Sequence, residues 1–287
     1  MELNRNPVGW SARQLSHAAG AVKSVFDAMH PPDEALKPIV RRIEVTDLIE
    51  ALKAGFDDFK IYRTDVITLC ALYPIIGLVL WRVVIGHGLF ELMFPLASGF
   101  ALIGPFVALG LYEMSREREQ GAPVSWATAF GVLRSPSAGA IAVLGFLLLL
   151  LFLLWVATAQ QIYDWTLGPG LPPTMTEFAQ ALFLTGAGWT LIAVGITVGF
   201  LFALVVFTIS VVSFPLLLDR NDVGVVMAVE TSVGAIVQNP KTMAAWALIV
   251  VGGLVLGSIP LFVGLAVVIP VLGHATWHLY RRVVARG

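Results

Sequence analysis

A chain of 287 residues that is 57% hydrophobic and only 13% charged is no water-soluble globule, because soluble domains carry roughly 25% charged residues. The near balance of 18 basic and 19 acidic residues excludes the basic field that nucleic acid requires of a partner. The single cysteine, Cys70, sits in an apolar run and excludes an intrachain disulfide framework or a cysteine zinc site.

Residues 1–40 read as a flexible cytoplasmic arm, with no apolar run near Met1 to act as a cleavable signal. Between Pro7 and Pro31, Leu15, Ala18, Val22, Phe26 and Met29 recur at helical spacing and predict a short amphipathic helix. It is either an inert interfacial helix or a docking element. Residues 41–287 read as a polytopic membrane domain. From Thr46, the residues Leu48, Ile49, Leu52, Phe56 and Phe59 oppose Glu50, Lys53, Asp57 and Lys60, which predicts a helix lying along the membrane surface.

The first span is expected at Val66–Ile85, with Arg82 near its outer end, and the second at Leu92–Tyr112, between Glu91 and Glu113. Ser125 is placed to cap a second short amphipathic helix carrying Trp126, Ala129, Phe130 and Leu133. The third span is expected at Ala138–Ala159, with the leucine-rich Leu147–Leu154 facing lipid. A loop then follows over Gln160–Thr176, rich in glycine and proline. The fourth span covers Trp189–Phe214 and closes over Pro215–Asp222. A third amphipathic helix at Val225–Val237 ends at Asn239-Pro240. The 39 residues between Lys241 and Arg281 carry no acid, lysine or arginine. They admit two crossings with a turn at Gly257–Pro260, or one crossing and a re-entrant piece.

Orientation favours the first alternative. With an even number of crossings every Lys and Arg except Arg82 falls on the cytoplasmic side, as the positive-inside rule demands. The expectation is an all-α integral membrane protein with about six transmembrane helices in three hairpins, both termini cytoplasmic, in a bacterial inner membrane. Each hairpin follows a short amphipathic interfacial helix and carries a proline in its second arm: Pro105, Pro215 or Pro270. That order suggests a pseudo-threefold repeat, although any six-helix chain alternates hairpins and loops.

No phosphate-binding glycine loop, zinc-protease motif or nucleophile elbow occurs, so no catalytic residue, cofactor or metal is assigned. Gly195–Gly199 and Gly253–Gly257 have the spacing that lets helix backbones approach, for internal packing or a dimer face. His274 and His278 share a helix face, suited to structural hydrogen bonding, a proton relay or metal ligation. Glu113 and Asp219 stand at helix C-termini, against the dipole, where Arg116 and Arg220 offer local ion pairs. Counted from the prolines, Glu113 and His278 lie at equal depth, and Asp219 lies about 6 Å higher. If the three hairpins converge, Tyr112, Glu113, Asp219, His274 and His278 form the densest ionisable cluster. It would be a pH-responsive latch or ligand site in which the carboxylates favour charged histidines.

The phrases Asp47–Asp65 (DLIEALKAGFDDFKIYRTD), Gly104–Arg116 (GPFVALGLYEMSR), Ser213–Arg220 (SFPLLLDR), Asn239–Trp246 (NPKTMAAW) and Pro270–Arg282 (PVLGHATWHLYRR) resemble the bacterial integral membrane family called domain of unknown function 2189. The resemblance covers roughly Val40 to Val283 and implies no established activity. Some members are labelled as cytochrome c oxidase subunit I. This chain argues against such a label, since only His87, His274 and His278 lie in or near apolar segments, too few to ligate the haems and copper of that subunit.

The expected role is a non-enzymatic accessory or scaffold component of a membrane assembly, a respiratory one among the candidates. Its partners are the lipid bilayer and other subunits or a second copy. A small-solute transporter or channel is the rival reading, and a metal- or haem-binding membrane protein the third. The expected spans offer a transporter few polar groups: Thr68, Ser98, Thr197, Thr208 and Ser210.

Overall fold

The computed structural model describes residues 37–70, 72–102, 104–170, 174–260 and 263–285; the helix expected at Leu15–Met29 lies outside them. The described chain is helical apart from one isolated antiparallel bridge, Val40 to Val284. The helices are α1 (Val45–Cys70), α2 (Leu72–Gly86), α3 (Met93–Leu102), α4 (Gly104–Val107), α5 (Leu109–Glu119), α6 (Ala138–Thr166), α7 (Met175–Leu184), α8 (Gly186–Ser210), α9 (Ser213–Asp219), α10 (Val225–Gln238), α11 (Pro240–Ser258) and α12 (Leu265–Val283). Two 3₁₀ segments, Phe90–Leu92 and Trp126–Arg134, interrupt the series.

The surface helix and the start of the first span, expected as separate elements, are one helix kinked at Tyr62, whose φ and ψ are −107° and 19°. Leu48, Ala51, Gly55, Asp58 and Phe59 are buried at helical spacing. That stripe packs along α12, the most extensive helix pair in the fold. The contact is close because Gly55 has no side chain: a Cβ there would stand 2.4 Å from the backbone nitrogen of Ala275. Ile49 and Phe56, expected with Leu48, Leu52 and Phe59 on the apolar face of a helix lying along the membrane surface, are exposed; the stripe buried against α12 runs through Gly55 and Asp58.

The helix expected as the second span is bent. Phe90–Gly99 and Gly104–Glu119 meet at 44°, at the point where Pro105 withdraws a backbone donor. Ser125 exchanges capping hydrogen bonds with Thr128, as the sequence suggests, but the element it starts is 3₁₀. α6 continues past the expected stop to Thr166, a length of about 43 Å at the usual rise. It buries Leu144, Leu148, Trp155, Ala159 and Ile162 on one stripe and leaves Phe146, Leu149, Leu150, Leu153 and Leu154 outward. Of the expected loop Gln160–Thr176, the residues up to Thr166 belong to α6 and those from Met175 to α7, a short helix that sequence reasoning left unassigned. Pro215 sits inside α9, and the break falls earlier, at Val211-Val212. There Ser232 of α10 accepts a hydrogen bond from the Val212 N–H (3.3 Å) and donates to the Thr208 carbonyl (2.7 Å). The repeated prolines thus act differently, for Pro270 lies within an unbroken α12.

Gly253 and Gly257 face Leu272, Val268, Leu265 and Gly264, so this pair serves packing of α11 on α12. Gly199 faces Trp155, joining α8 to α6. The segments before α1 and after α12 are also tied. The Arg41 N–H donates to the Val283 carbonyl (2.7 Å) and the Ala285 N–H to the Ile39 carbonyl (2.9 Å). Asn239 clamps the same strand, accepting from the Ile43 N–H (2.8 Å) and donating to the Arg41 carbonyl (2.9 Å).

Among the described residues α6, the α8–α9 run Gly186–Asp219 and α11 are long and apolar enough to cross a membrane, and the bent pair makes a fourth. By length and composition, then, three or four of the six expected crossings qualify. Exposed large apolar side chains concentrate on α2, α6, α8 and α11, whereas buried ones gather where α1, α5, α9, α10 and α12 meet.

Gly55→Ala should destabilise the protein by on the order of 1–3 kcal/mol, because α12 backbone must move to admit one methyl. Gly77→Ala on α2, where nothing lies within 4 Å, should be neutral or slightly stabilising. Thermal unfolding of the two variants in detergent measures the contrast, and equal melting temperatures would contradict the close approach.

Candidate functional site

The last three turns of α12 carry His274, His278, Tyr280, Arg281 and Arg282, and each reaches a neighbouring helix. Arg282 pairs with Asp47 (3.0 Å) and Glu50 (2.7 Å) of α1. Arg281 pairs with Asp219 at the end of α9 (2.7 Å) and with Glu119 of α5 (3.2 Å), and the Tyr280 hydroxyl donates to Asp219 (2.7 Å). The two histidines converge on Asp58.

Asp58 is 2% exposed, carried inward by the same stripe as Leu48, Ala51 and Gly55. Its Oδ2 accepts from the Ser115 hydroxyl (2.6 Å) and from Nε2–H of His278 (2.9 Å). Its Oδ1 accepts from Arg118 Nη1. An ionised carboxylate only accepts, so the single Ser115 proton is committed to Asp58. Ser115 Oγ then accepts from His274 Nδ1–H, 2.7 Å away. His274 itself is 0% exposed, and its Nε2 is buried without a partner in hydrogen-bonding geometry.

Burial pushes the Asp58 carboxyl up, but the hydrogen bonds from His278 and Ser115 and the electrostatic pull of both histidines outweigh it. The group is held below its ordinary value. Serine, histidine and aspartate stand together here without the order of a nucleophilic triad: the serine proton points to the carboxylate and not to the imidazole. Ser115 is also buried. The arrangement holds a charge and locks α1, α5 and α12 together.

The five residues singled out from the sequence lie in this packed layer and divide between networks. Tyr112 is buried and turns its hydroxyl to Thr276 of α12. Glu113 is buried and pairs with Arg116 (2.9 Å), one of the two local pairs expected. Arg116 also donates to the Leu218 carbonyl (3.3 Å), which joins the ends of α5 and α9. The other local pair is replaced: Asp219 turns to Tyr280 and Arg281, while Arg220 pairs with Asp222 (Nε–Oδ1 3.0 Å). His274 and His278 meet Asp58, so the carboxylate in front of them comes from α1 and not from the ends of α5 or α9. Sequence reasoning missed Asp58, Ser115 and Arg118. The available signal was register, since Leu48, Ala51, Gly55 and Asp58 follow one another at spacings of three, four and three.

The model of a family described as predicted integral membrane protein (DUF2189) matches residues 93–219. This chain is similar to that family. The match holds the phrase Gly104–Arg116 and nearly all of Ser213–Arg220, and runs from α3 to α9; the phrases from α1, α11 and α12 lie beyond it. No curated protein and no solved structure matches.

The sign of the Asp58 effect follows from its lowered value. A depressed carboxyl contributes stability above its unfolded pKa of about 3.9, and the contribution is lost as pH falls through the folded value. Asp58→Asn should therefore lower the melting temperature at pH 7, at a cost of on the order of 1–3 kcal/mol. The deficit should shrink as pH falls below about 4. Melting curves of both proteins across that range test it, and a deficit that does not change with pH would contradict a charged, hydrogen-bonded Asp58.

Proposed function

We propose that this integral membrane protein is a non-enzymatic scaffold or accessory subunit of a membrane assembly in a bacterial inner membrane. The observation that carries the reading is the fate of the hydroxyls in its apolar helices. Ser98, Thr197, Thr208 and Ser210 donate to carbonyls one turn back on their own helices: Phe94 (2.7 Å), Ala193 (2.8 Å), Leu204 (2.7 Å) and Val206 (2.6 Å). A solute path needs polar groups turned toward a common lining. These are spent locally, and Thr197 is exposed on the outside of α8.

Six crossings and cytoplasmic termini complete the proposal. The bridge between Val40 and Val284 brings both ends of the described chain to one face, which supports an even count. The spans are then the end of α1 with α2, α3 to α5, α6, α8 with α9, α11, and α12. An amphipathic element precedes each hairpin: the first turns of α1, the 3₁₀ helix Trp126–Arg134, and α10. Their outward residues, among them Ile49, Trp126, Phe130, Leu133 and Val237, supply a rim for lipid headgroups, other subunits or a second copy.

A reporter active only in the cytoplasm should be active when fused after Arg286, and one active only in the periplasm should be active when inserted near Gly170; the reverse at either site contradicts six crossings. Purification in mild detergent should retain a defined stoichiometric neighbour or self-assembly. Solute flux through proteoliposomes containing the protein alone would replace the scaffold reading with the transporter.

A further inference from the structure

The strand before α1 and the start of α11 carry three cations without a counter-charge. Arg41 and Arg42 are exposed on the strand, and Lys241 is exposed in the first turn of α11. Three hydrogen bonds fix the two segments side by side. The Ile43 N–H donates to Asn239 Oδ1 (2.8 Å), Asn239 Nδ2 to the Arg41 carbonyl (2.9 Å), and the Thr242 hydroxyl to the Ile43 carbonyl (3.1 Å). Arg42 thus stands between the two bonded strand residues, and Lys241 between Asn239 and Thr242. Ile43, Asn239 and Thr242 are all buried, so the interior sets this placement and leaves the cations outside.

Other cations of this face are compensated. Arg116, Arg118, Arg220, Arg281 and Arg282 each meet a carboxylate, and Lys37, four residues before Arg41, meets Glu230 (3.9 Å). Among the described residues no acid forms an ion pair with Arg41, Arg42 or Lys241, the exposed Glu44 of the same strand included. Like charges on neighbouring segments repel, and an anion beside them is attracted by all three.

The surroundings are apolar as well as cationic. Ile39 and Val45, on either side of the arginines in sequence, and Val237, just before the Asn239 clamp, are exposed at 69%, 59% and 74%. Beyond Lys241 the outer stripe of α11 continues at helical spacing through Ala244, Leu248, Val251, Val255 and Ile259, all exposed. That stripe is about 27 Å long at the usual rise, on a helix long and apolar enough to cross a membrane. Cations at the head of an apolar stripe match the two parts of one ligand, a phosphate and its acyl chains.

We propose that Arg41, Arg42 and Lys241 form the headgroup site of an anionic phospholipid whose acyl chains lie along the outer stripe of α11. Arginine offers a phosphate paired N–H donors, and lysine a mobile point charge. The bound lipid adds a tie between the strand before α1 and α11, parallel to the one that Asn239 makes from inside. The site rests on this face lying at a headgroup layer and not on the scaffold role, which the search for a stoichiometric neighbour tests separately.

The test uses the full chain in mixed micelles of a mild non-ionic detergent with phosphatidylglycerol, with phosphatidylcholine of the same acyl chains, or with inorganic phosphate and no added lipid. Phosphatidylglycerol should raise the melting temperature by on the order of 3 °C, and the other two additions should do less. Arg41→Gln, Arg42→Gln and Lys241→Gln should each raise the phosphatidylglycerol concentration needed for half the effect about fivefold, the weight of one cation near an anionic surface. Lys241→Arg, which keeps the charge, should keep the response. Arg134→Gln, which removes an exposed cation from the Trp126–Arg134 segment, should leave it unchanged. All four side chains are exposed, so melting temperatures in phosphatidylcholine should match the wild type and show that the variants are folded; a variant that fails this is replaced by the other two of its set. An equal response to the two lipids, or a full response when Arg42→Gln and Lys241→Gln are combined, overturns the proposal. A response reproduced by inorganic phosphate assigns the cations to a free anion, and an equal loss in Arg134→Gln reduces the effect to diffuse surface charge. Either result overturns it too.

Discussion

The close approach of α1 to α12 at Gly55 is the contact on which the remaining arrangement depends. With only hydrogen on Gly55, the backbone at Ala275 comes within van der Waals contact of α1. One turn further along α1, the distance is right for Asp58 to meet His278 directly and His274 through Ser115. A side chain at position 55 would separate the helices by more than a hydrogen bond tolerates. The same pairing aligns Arg282 with Asp47 and Glu50 and lets the strand before α1 bridge to Val284. One missing methyl thus positions a buried charge, the ion pairs of Arg282 and the bridge between Val40 and Val284.

The buried charge is tolerable because it is saturated. Asp58 loses its water, a penalty that burial makes large. It recovers three donors from three side chains, Ser115 and Arg118 on α5 and His278 on α12. Removing any one leaves a partly satisfied network, which is worse than an apolar contact. Such a network rewards one relative placement of α1, α5 and α12 more strongly than apolar packing does, since apolar surfaces can slide at little loss. α12 acts as its hub: its histidines face α1 and α5, Arg281 bridges α5 and α9, and Arg282 returns to α1.

Composition made the membrane class legible, and hydropathy located α6 and α8, although α6 runs seven residues past its expected stop to Thr166. The amphipathic elements were legible too, as were the Ser125 cap and the Glu113–Arg116 pair, all of which rest on spacings of three or four residues. What failed were facts of tertiary partnership. Phe56 and Phe59 share one apolar face in the sequence, yet only Phe59 is buried, and the stripe against α12 passes through a glycine and an aspartate, where the helices approach closely and meet a charge. Asp219 had Arg220 beside it in sequence, but the chain turns at Arg220, whose backbone is extended, and Arg281 arrives from α12 instead. α7 has no buried residue, so no periodicity marked it.

Lipid offers no hydrophobic force to press one apolar helix against another, and the distribution of packing reflects this. α8 buries Gly188, Val206 and Ser210 along its whole length, while α9, seven residues long, buries six. The apolar helices are therefore held chiefly from one end. There the helix ends, the amphipathic elements and the bridged segments before α1 and after α12 build a core like that of a soluble domain, with Phe214, Trp246 and Trp277 fully buried. At the other end, among the described residues, no ion pair joins α3, the Phe90–Leu92 segment and α6, which meet through apolar packing and the indole of Trp155 donating to the Pro95 carbonyl (3.1 Å). A structure clamped at one face and looser at the other concentrates its rigidity where the polar networks lie. It leaves the opposite face as the place where an additional tie between α3 and α6 would have the greatest effect on how the helices sit.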